Sequence, residues 1–235
     1  MTRRRSSAMT AGPYLPTYRQ VKSVNIPGAK SKEGPRTAPS RHRPARQRTR
    51  CEHVVQFYND DDVLLDSVTQ FVAAALALHD GVIVLATAGH REALERRLES
   101  DGCEWTAARA SGCYVSLDAG EILAQLMVDG QPDRERFADV LGGLIERVLS
   151  VAPRVSAFGE LVSLLWAVDR GDAAVALEKL WNEWVDSHPL SLHCAYAISD
   201  LGKEAARDYF TDVCAEHHAI IHSPNYFDAG VAGAE

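Results

Sequence analysis

Two periods alternate along most of this chain. "HVVQFY" (53–58) is a short β-rich apolar run, and residues 63–78 repeat their apolar positions at helical spacing. "VIVLAT" (82–87), introduced by Gly81, is apolar almost throughout, as a strand buried on both faces must be. "HREALERRLESDG" (90–102) is amphipathic and ends on Gly102, and "CYVSL" (113–117) predicts a third strand. Asp118 then stands where a helix cap is needed before "AGEILAQLMV". Past the turn "DGQPD" the spacing predicts a helix over 134–150 and a strand "VSAFGE" (155–160). Helices over 161–168 and 172–187 follow, then a strand "LHCAYAI" (192–198) and a last helix over 203–217. Strands separated by helical crossovers predict an α/β domain: a mainly parallel sheet flanked by helices on both faces.

That architecture locates a site, because ligands of open parallel sheets sit beyond the carboxyl ends of the strands. Those ends carry Tyr58 with Asn59, Asp60, Asp61 and Asp62; Thr87 with His90 and Arg91; Asp118; Glu160; and Ser199 with Asp200. The five ends are expected to converge.

Composition changes the picture only at the amino terminus. The chain has 235 residues, 46% hydrophobic and 24% charged, the balance of a globular protein. Of its 25 Lys and Arg, 13 lie in residues 1–50 against a single acid, Glu33; the remaining residues hold 12 basic and 31 acidic side chains, a charge of −19. Residues 1–50 also contain Pro13, Pro16, Pro27, Pro35, Pro39 and Pro44 and lack apolar periodicity, so a disordered basic tail is expected there. It reads first as a solvated tail; "RHRPARQRTR" (41–50) would give it weak, nonspecific nucleic-acid contact. One domain is expected over 51–222, with a flexible end at 223–235. The apolar run from Phe71 stops at His79 and Asp80, far short of the roughly 20 residues that span a bilayer. With no signal peptide and five irregularly spaced cysteines, a reducing cytoplasm is expected.

The chemistry at the first strand end is unusual. Nucleotide-binding α/β proteins place GxxxxGK[ST] there, whose backbone N–H groups and lysine hold phosphate. This chain has no such motif and offers "YNDDD" instead. A carboxylate about 4 Å from a phosphate adds repulsion of about 1 kcal/mol even in water. Helix capping is the plain role for these aspartates. Glu160 would either activate water as a general base, hydrogen-bond a polar ligand, or simply begin the next helix after Gly159. Trp166, Trp181 and Trp184 sit at core-packing spacing, with lining of an apolar pocket as the alternative. Cys214, His217, His218 and His222 form C-x2-H-H-x3-H, to which Cys194 or His193 would have to be added for a metal site; no metal ligands are assigned on this basis. No nucleophile elbow or HExxH is present, which favours a non-catalytic protein.

The segments "HVVQFYNDDDVLLDSVTQFV", "GVIVLATAGHREALERRL", "YVSLDAGEILAQLMVDGQPD", "RFADVLGGLI", "VSAFGELVSLLWA", "ALEKLWNEW", "HPLSLHCAYAI" and "VCAEHH" together resemble the MEDS family, the methanogen/methylotroph dichloromethane-regulator sensory domain. The resemblance runs from His53 to His218. It implies a three-layer RecA/KaiC-like fold without the Walker A motif, used as a bacterial input module for small organic molecules. It also implies a separate signalling partner, such as a histidine kinase, an anti-sigma system or a regulator. The expected ligand-binding residues are Tyr58, Asn59, Asp60, Asp61, Thr87, His90 and Glu160, with no cofactor assigned. The alternatives are a KaiC-like nucleotide switch with an atypical phosphate loop, and a metal or redox sensor built on Cys214 and His217, with Cys194 and His218 as further ligands.

Overall fold

A computed structural model describes residues 52–199 and 204–222, with the backbone alone for 204–208 and 222. Asp200, the tail 1–50 and the end 223–235 lie outside the described residues. The chain runs β1 (His53–Tyr58), α1 (Asp61–Ala77), β2 (Gly81–Ala86), α2 (Ala88–Ser100), α3 (Trp105–Ala110) and β3 (Tyr114–Asp118). It continues through α4 (Ala119–Leu126), the short β4 (Met127–Val128) and β5 (Gln131–Pro132), α5 (Arg134–Phe137), a π-helical turn (Ala138–Gly142) and α6 (Gly143–Leu149). It ends with β6 (Val155–Gly159), α7 (Leu161–Ala167), α8 (Gly171–Ser187), β7 (Leu190–Ala197), α9 (Glu204–Ala215) and β8 (Ala219–His222).

The main sheet has the order β3-β2-β6-β7-β1-β8, and every neighbouring pair is parallel. This is the three-layer α/β architecture the alternating periods predict. The alternation of side chains along each strand sorts the core into two halves. On one face Val82 and Val84 of β2, Phe158 of β6 and Ala195 of β7 meet Leu64, Leu65, Val68 and Val72 of α1 and Leu94 and Leu98 of α2. On the other, Ile83 and Leu85 of β2, Val55 and Phe57 of β1, and Tyr196 of β7 meet Ile122 of α4, Leu144 and Val148 of α6, Leu165 of α7 and Trp181 of α8. Trp166 and Trp181 are part of this second half. Trp181 sits edge-on to Phe137 with ring centroids 5.0 Å apart, as core aromatics prefer.

Several local features depart from the periodic reading. The helix expected through Val128 stops at Leu126, because Met127 and Val128 pair antiparallel with Pro132 and Gln131. Asp129 (φ 48°) and Gly130 (φ 79°) form the two-residue turn between them, and positive φ at both positions is what an Asp-Gly hairpin turn needs. The predicted 134–150 helix is interrupted by the π-helical turn. Ala219–His222, expected to lie past the last helix, is an edge strand paired with Val54–Phe57 of β1. Among the described residues no helix is long and apolar enough to cross a membrane.

α1 is followed, after its C-cap Leu78, by His79 in the left-handed region (φ 58°), with Asp80 N–H donating to Ala75 O at 3.0 Å to close the turn. A non-glycine residue is strained there. His79→Gly is therefore expected to raise stability by about 0.5–1 kcal/mol, read as a higher urea midpoint with unchanged slope.

Candidate functional site

The parallel strands of the main sheet all end at the same edge, and polar residues after β1, β2, β3 and β6 are brought together there. Glu160 leaves the sheet through its own N–H, which donates to Leu85 O of β2 at 2.9 Å, and its carbonyl then accepts the first helical bond of α7. This places its carboxylate under the start of α2. Oε2 accepts the Thr87 N–H at 2.8 Å, and Oε1 accepts from Nδ1 of His90. Glu160 is only 2% exposed, so it acts as a buried post that fixes the His90 ring. The other ring nitrogen, Nε2, faces outward and lies 3.5 Å from Asp61 Oδ2, while the Tyr58 ring packs edge-on to His90 with centroids 6.4 Å apart. Tyr58, Asp61, Thr87, His90 and Glu160 thus form one constellation.

The three aspartates after Tyr58 have separate roles. Asp60 is the N-cap of α1, its Oδ1 accepting the Asp62 N–H at 2.8 Å. Asp61 faces His90. Asp62 pairs with Arg97 of α2 at 2.6 Å, an exposed pair of small energetic weight. Asn59 is exposed. The amino end of α1, where a phosphate would be held in a nucleotide-binding relative of this architecture, is thus occupied by the protein's own carboxylates. Next to the central group, Asp118 caps α4 by accepting from Gly120 N–H at 2.9 Å and Glu121 N–H at 3.1 Å, and it pairs with Arg91 at 3.3 Å. Those hydrogen bonds, against a smaller opposing effect of burial, hold the Asp118 carboxyl below its ordinary range.

His90 is held above its ordinary pKa, chiefly by the hydrogen bond to Glu160, with burial opposing and the charges of Glu160 and Asp61 adding to it. A histidine whose folded pKa is raised contributes stability that is complete below its unfolded value, about 6.5, and is lost as pH rises through the folded value. The stability difference between the native chain and His90→Gln is therefore expected to be largest below about pH 6.5 and to shrink as pH rises above it, measured by urea unfolding across that range.

The residues proposed from C-x2-H-H-x3-H separate. Helix α9 ends at Ala215, so Cys214 and His218 do not share a helical face with His222. His218 Nδ1 accepts the His53 N–H at 2.9 Å. Burial pushes the Cys214 thiol up, which is contrary to a reactive thiolate. His193 lies on the α1 face, bonded to Gln56 Oε1 at 2.9 Å, and burial first, then His217, lowers it to about 4. Cys194 and His217 do come together, with two residues the spacing did not point to, His53 and Glu178. Glu178 had one visible signal: it falls on the apolar stripe of α8 between Ala174, Leu177, Trp181 and Val185. A shallow cleft of about 190 Å³ lined by Asp66, Thr69, Gln70, Arg97, Ser100 and Asp101 lies between α1 and α2; it is polar, and smaller than ordinary ligand pockets of about 300–1,000 Å³.

The profile of one protein family matches residues 52–211; it is described as MEDS, the methanogen/methylotroph, DcmR sensory domain. Comparison with curated proteins gives no match.

Proposed function

Because the chain belongs to the MEDS family of sensory domains, we propose that it is a non-catalytic, cytoplasmic ligand-sensing module of bacterial signal transduction. The ligand site is the carboxyl edge of the sheet, and the observation that carries it is the buried Glu160 holding His90 with its Nε2 turned outward between Tyr58 and Asp61. A buried carboxylate that orients a partly exposed imidazole is preorganised to donate a hydrogen bond to an acceptor oxygen of a small organic molecule. The amino end of α2 supports the same polarity, since Thr87 makes no side-chain cap and its helix amides face the same edge. Asn59 and Asp60 belong to the rim and the cap of this site. Binding changes the population of a surface that a separate signalling protein reads, which requires unequal affinity for two conformations.

A nucleotide switch is the competing reading, and the carboxylates at the head of α1 stand against it. Thermal-shift measurements separate the two. Short-chain organic acids, alcohols and halogenated hydrocarbons are tested beside MgATP on the native chain and on Glu160→Ala. A rise in melting temperature with one organic class, lost in Glu160→Ala, is the expected result. A rise of several degrees with MgATP that Asp61→Ala removes would overturn it.

A further inference from the structure

Toward the opposite, amino-terminal end of the strands, on the face covered by α8 and α9, four buried side chains from distant parts of the chain point at one another. They are His53 at the start of β1, Glu178 in the middle of α8, Cys194 in β7 and His217 just past α9. His53, Glu178 and Cys194 are at most 1% exposed, and the His217 side chain is fully buried. We propose that these four residues bind one divalent metal ion of the zinc class, and that the ion clamps α9 and β8 to the sheet.

Geometry is the first support. Zinc bonds of about 2.0–2.3 Å to N, O and S in a tetrahedron put the donor atoms about 3.3–3.7 Å apart. His53 Nε2 lies 3.2 Å from Glu178 Oε2 and 3.3 Å from Cys194 Sγ. Cys194 Sγ lies 3.5 Å from Glu178 Oε2, and His217 Nε2 lies 3.5 Å from Glu178 Oε1. All four donor atoms fall within 4.8 Å of one another.

The outer contacts are the second support, because they fix which ring nitrogen is free. Asn182 donates through Nδ2 to the carbonyl and carboxylate oxygens of Glu216 at 2.8 and 2.9 Å, so its Oδ1 is the atom 2.8 Å from His53 Nδ1. His53 Nδ1 must then carry a hydrogen. His217 Nδ1 likewise donates to Val213 O at 2.6 Å. In the neutral rings both Nε2 lone pairs therefore face the carboxylate and the sulfur. His217 Nε2 is buried and makes no hydrogen bond. An ion pair between His53 and Glu178 leaves that lone pair unmatched, and charging both rings sets two cations with centroids 4.1 Å apart in the core. A single dication satisfies both lone pairs, the carboxylate and the sulfur together. Tyr196 O–H donating to Glu178 Oε1 at 2.7 Å and the two Nδ1–H bonds are the outer contacts that orient metal ligands.

Charge balances in the same way. The ion's two positive charges meet one carboxylate and one thiolate; binding ionises the Cys194 S–H and releases that proton to solvent. Because His217 follows α9 directly and precedes β8, the ion ties this segment to β1, α8 and β7. Gly171 shows how closely α9 already approaches: a Cβ there would lie 2.3 Å from the Tyr209 ring.

The full chain is expressed with zinc, gel-filtered and analysed by elemental mass spectrometry, then stripped under reducing conditions and loaded with Co(II). The expected result is close to one zinc per chain, and a cobalt form with strong four-coordinate visible bands and a near-ultraviolet thiolate charge-transfer band. Cys194→Ser should lose the thiolate band, and Cys214→Ser should keep it. Should circular dichroism show Cys194→Ser unfolded, His217→Gln serves instead and should lose the four-coordinate bands. Asn182→Ala, which frees the His53 ring, should weaken zinc about 10–100-fold. Folded native chain that retains no zinc and gives no thiolate band overturns the proposal, as does a band that survives Cys194→Ser.

Discussion

Glu178→Ala is expected to lower stability by about 3–5 kcal/mol, the range for removing one partner of a buried charge group. Glu178 is fully buried, and its two oxygens serve His53, Cys194, Tyr196 and His217 together. Alanine leaves the Tyr196 hydroxyl and the Cys194 thiol without that acceptor, removes one donor of the four-residue cluster and opens a cavity beneath α8. Urea unfolding read by tryptophan fluorescence measures the loss; a change under about 1 kcal/mol would mean that the group is not the polar anchor of this face.

The second large effect is at the other end of the sheet. Glu160→Ala is expected to cost about 2–3 kcal/mol, because it removes a charged acceptor from the Thr87 N–H and from His90 in a buried position. It also frees the His90 ring, so ligand affinity should fall at least about tenfold beyond what stability explains, through lost preorganisation. Glu160→Gln separates the two contributions. The amide oxygen still accepts the Thr87 N–H, so most stability should remain. The charged hydrogen-bond acceptor that holds His90 up is gone, so its titration, followed by histidine ring NMR, should move down toward the ordinary range.

These two ends of the sheet differ in how far the sequence foreshadows them. "HVVQFY" is a strand over its full length, and Asp118 caps α4 as its position before "AGEILAQLMV" implies. The convergence of Tyr58, Thr87, His90 and Glu160 follows from strand direction alone, since residues just past the ends of parallel strands share one edge. What spacing could not supply is the division of labour among Asp60, Asp61 and Asp62, which depends on where α2 places His90 and Arg97. The cluster of His53, Glu178, Cys194 and His217 was less legible still. Its members are separated by up to 164 positions and are joined only by β7 pairing with β1 and by α9 returning across α8. The C-x2-H-H-x3-H run points to Cys214, His217 and His218, yet the helix ends before the two histidines, and of these three only His217 joins the cluster. β8 was hidden because four residues are too few to show a period.

The proposed site holds a small organic molecule at the carboxyl edge through His90 and Glu160 and no phosphate at the head of α1. Two-dimensional amide NMR on the labelled full chain tests it most directly, with the organic panel and MgATP titrated separately. Saturable shifts of the Thr87 to Arg91 and Glu160 amides are expected with an organic ligand, and none at Asn59 to Asp62 with MgATP. Saturable MgATP shifts centred on Asn59 to Asp62 would contradict it.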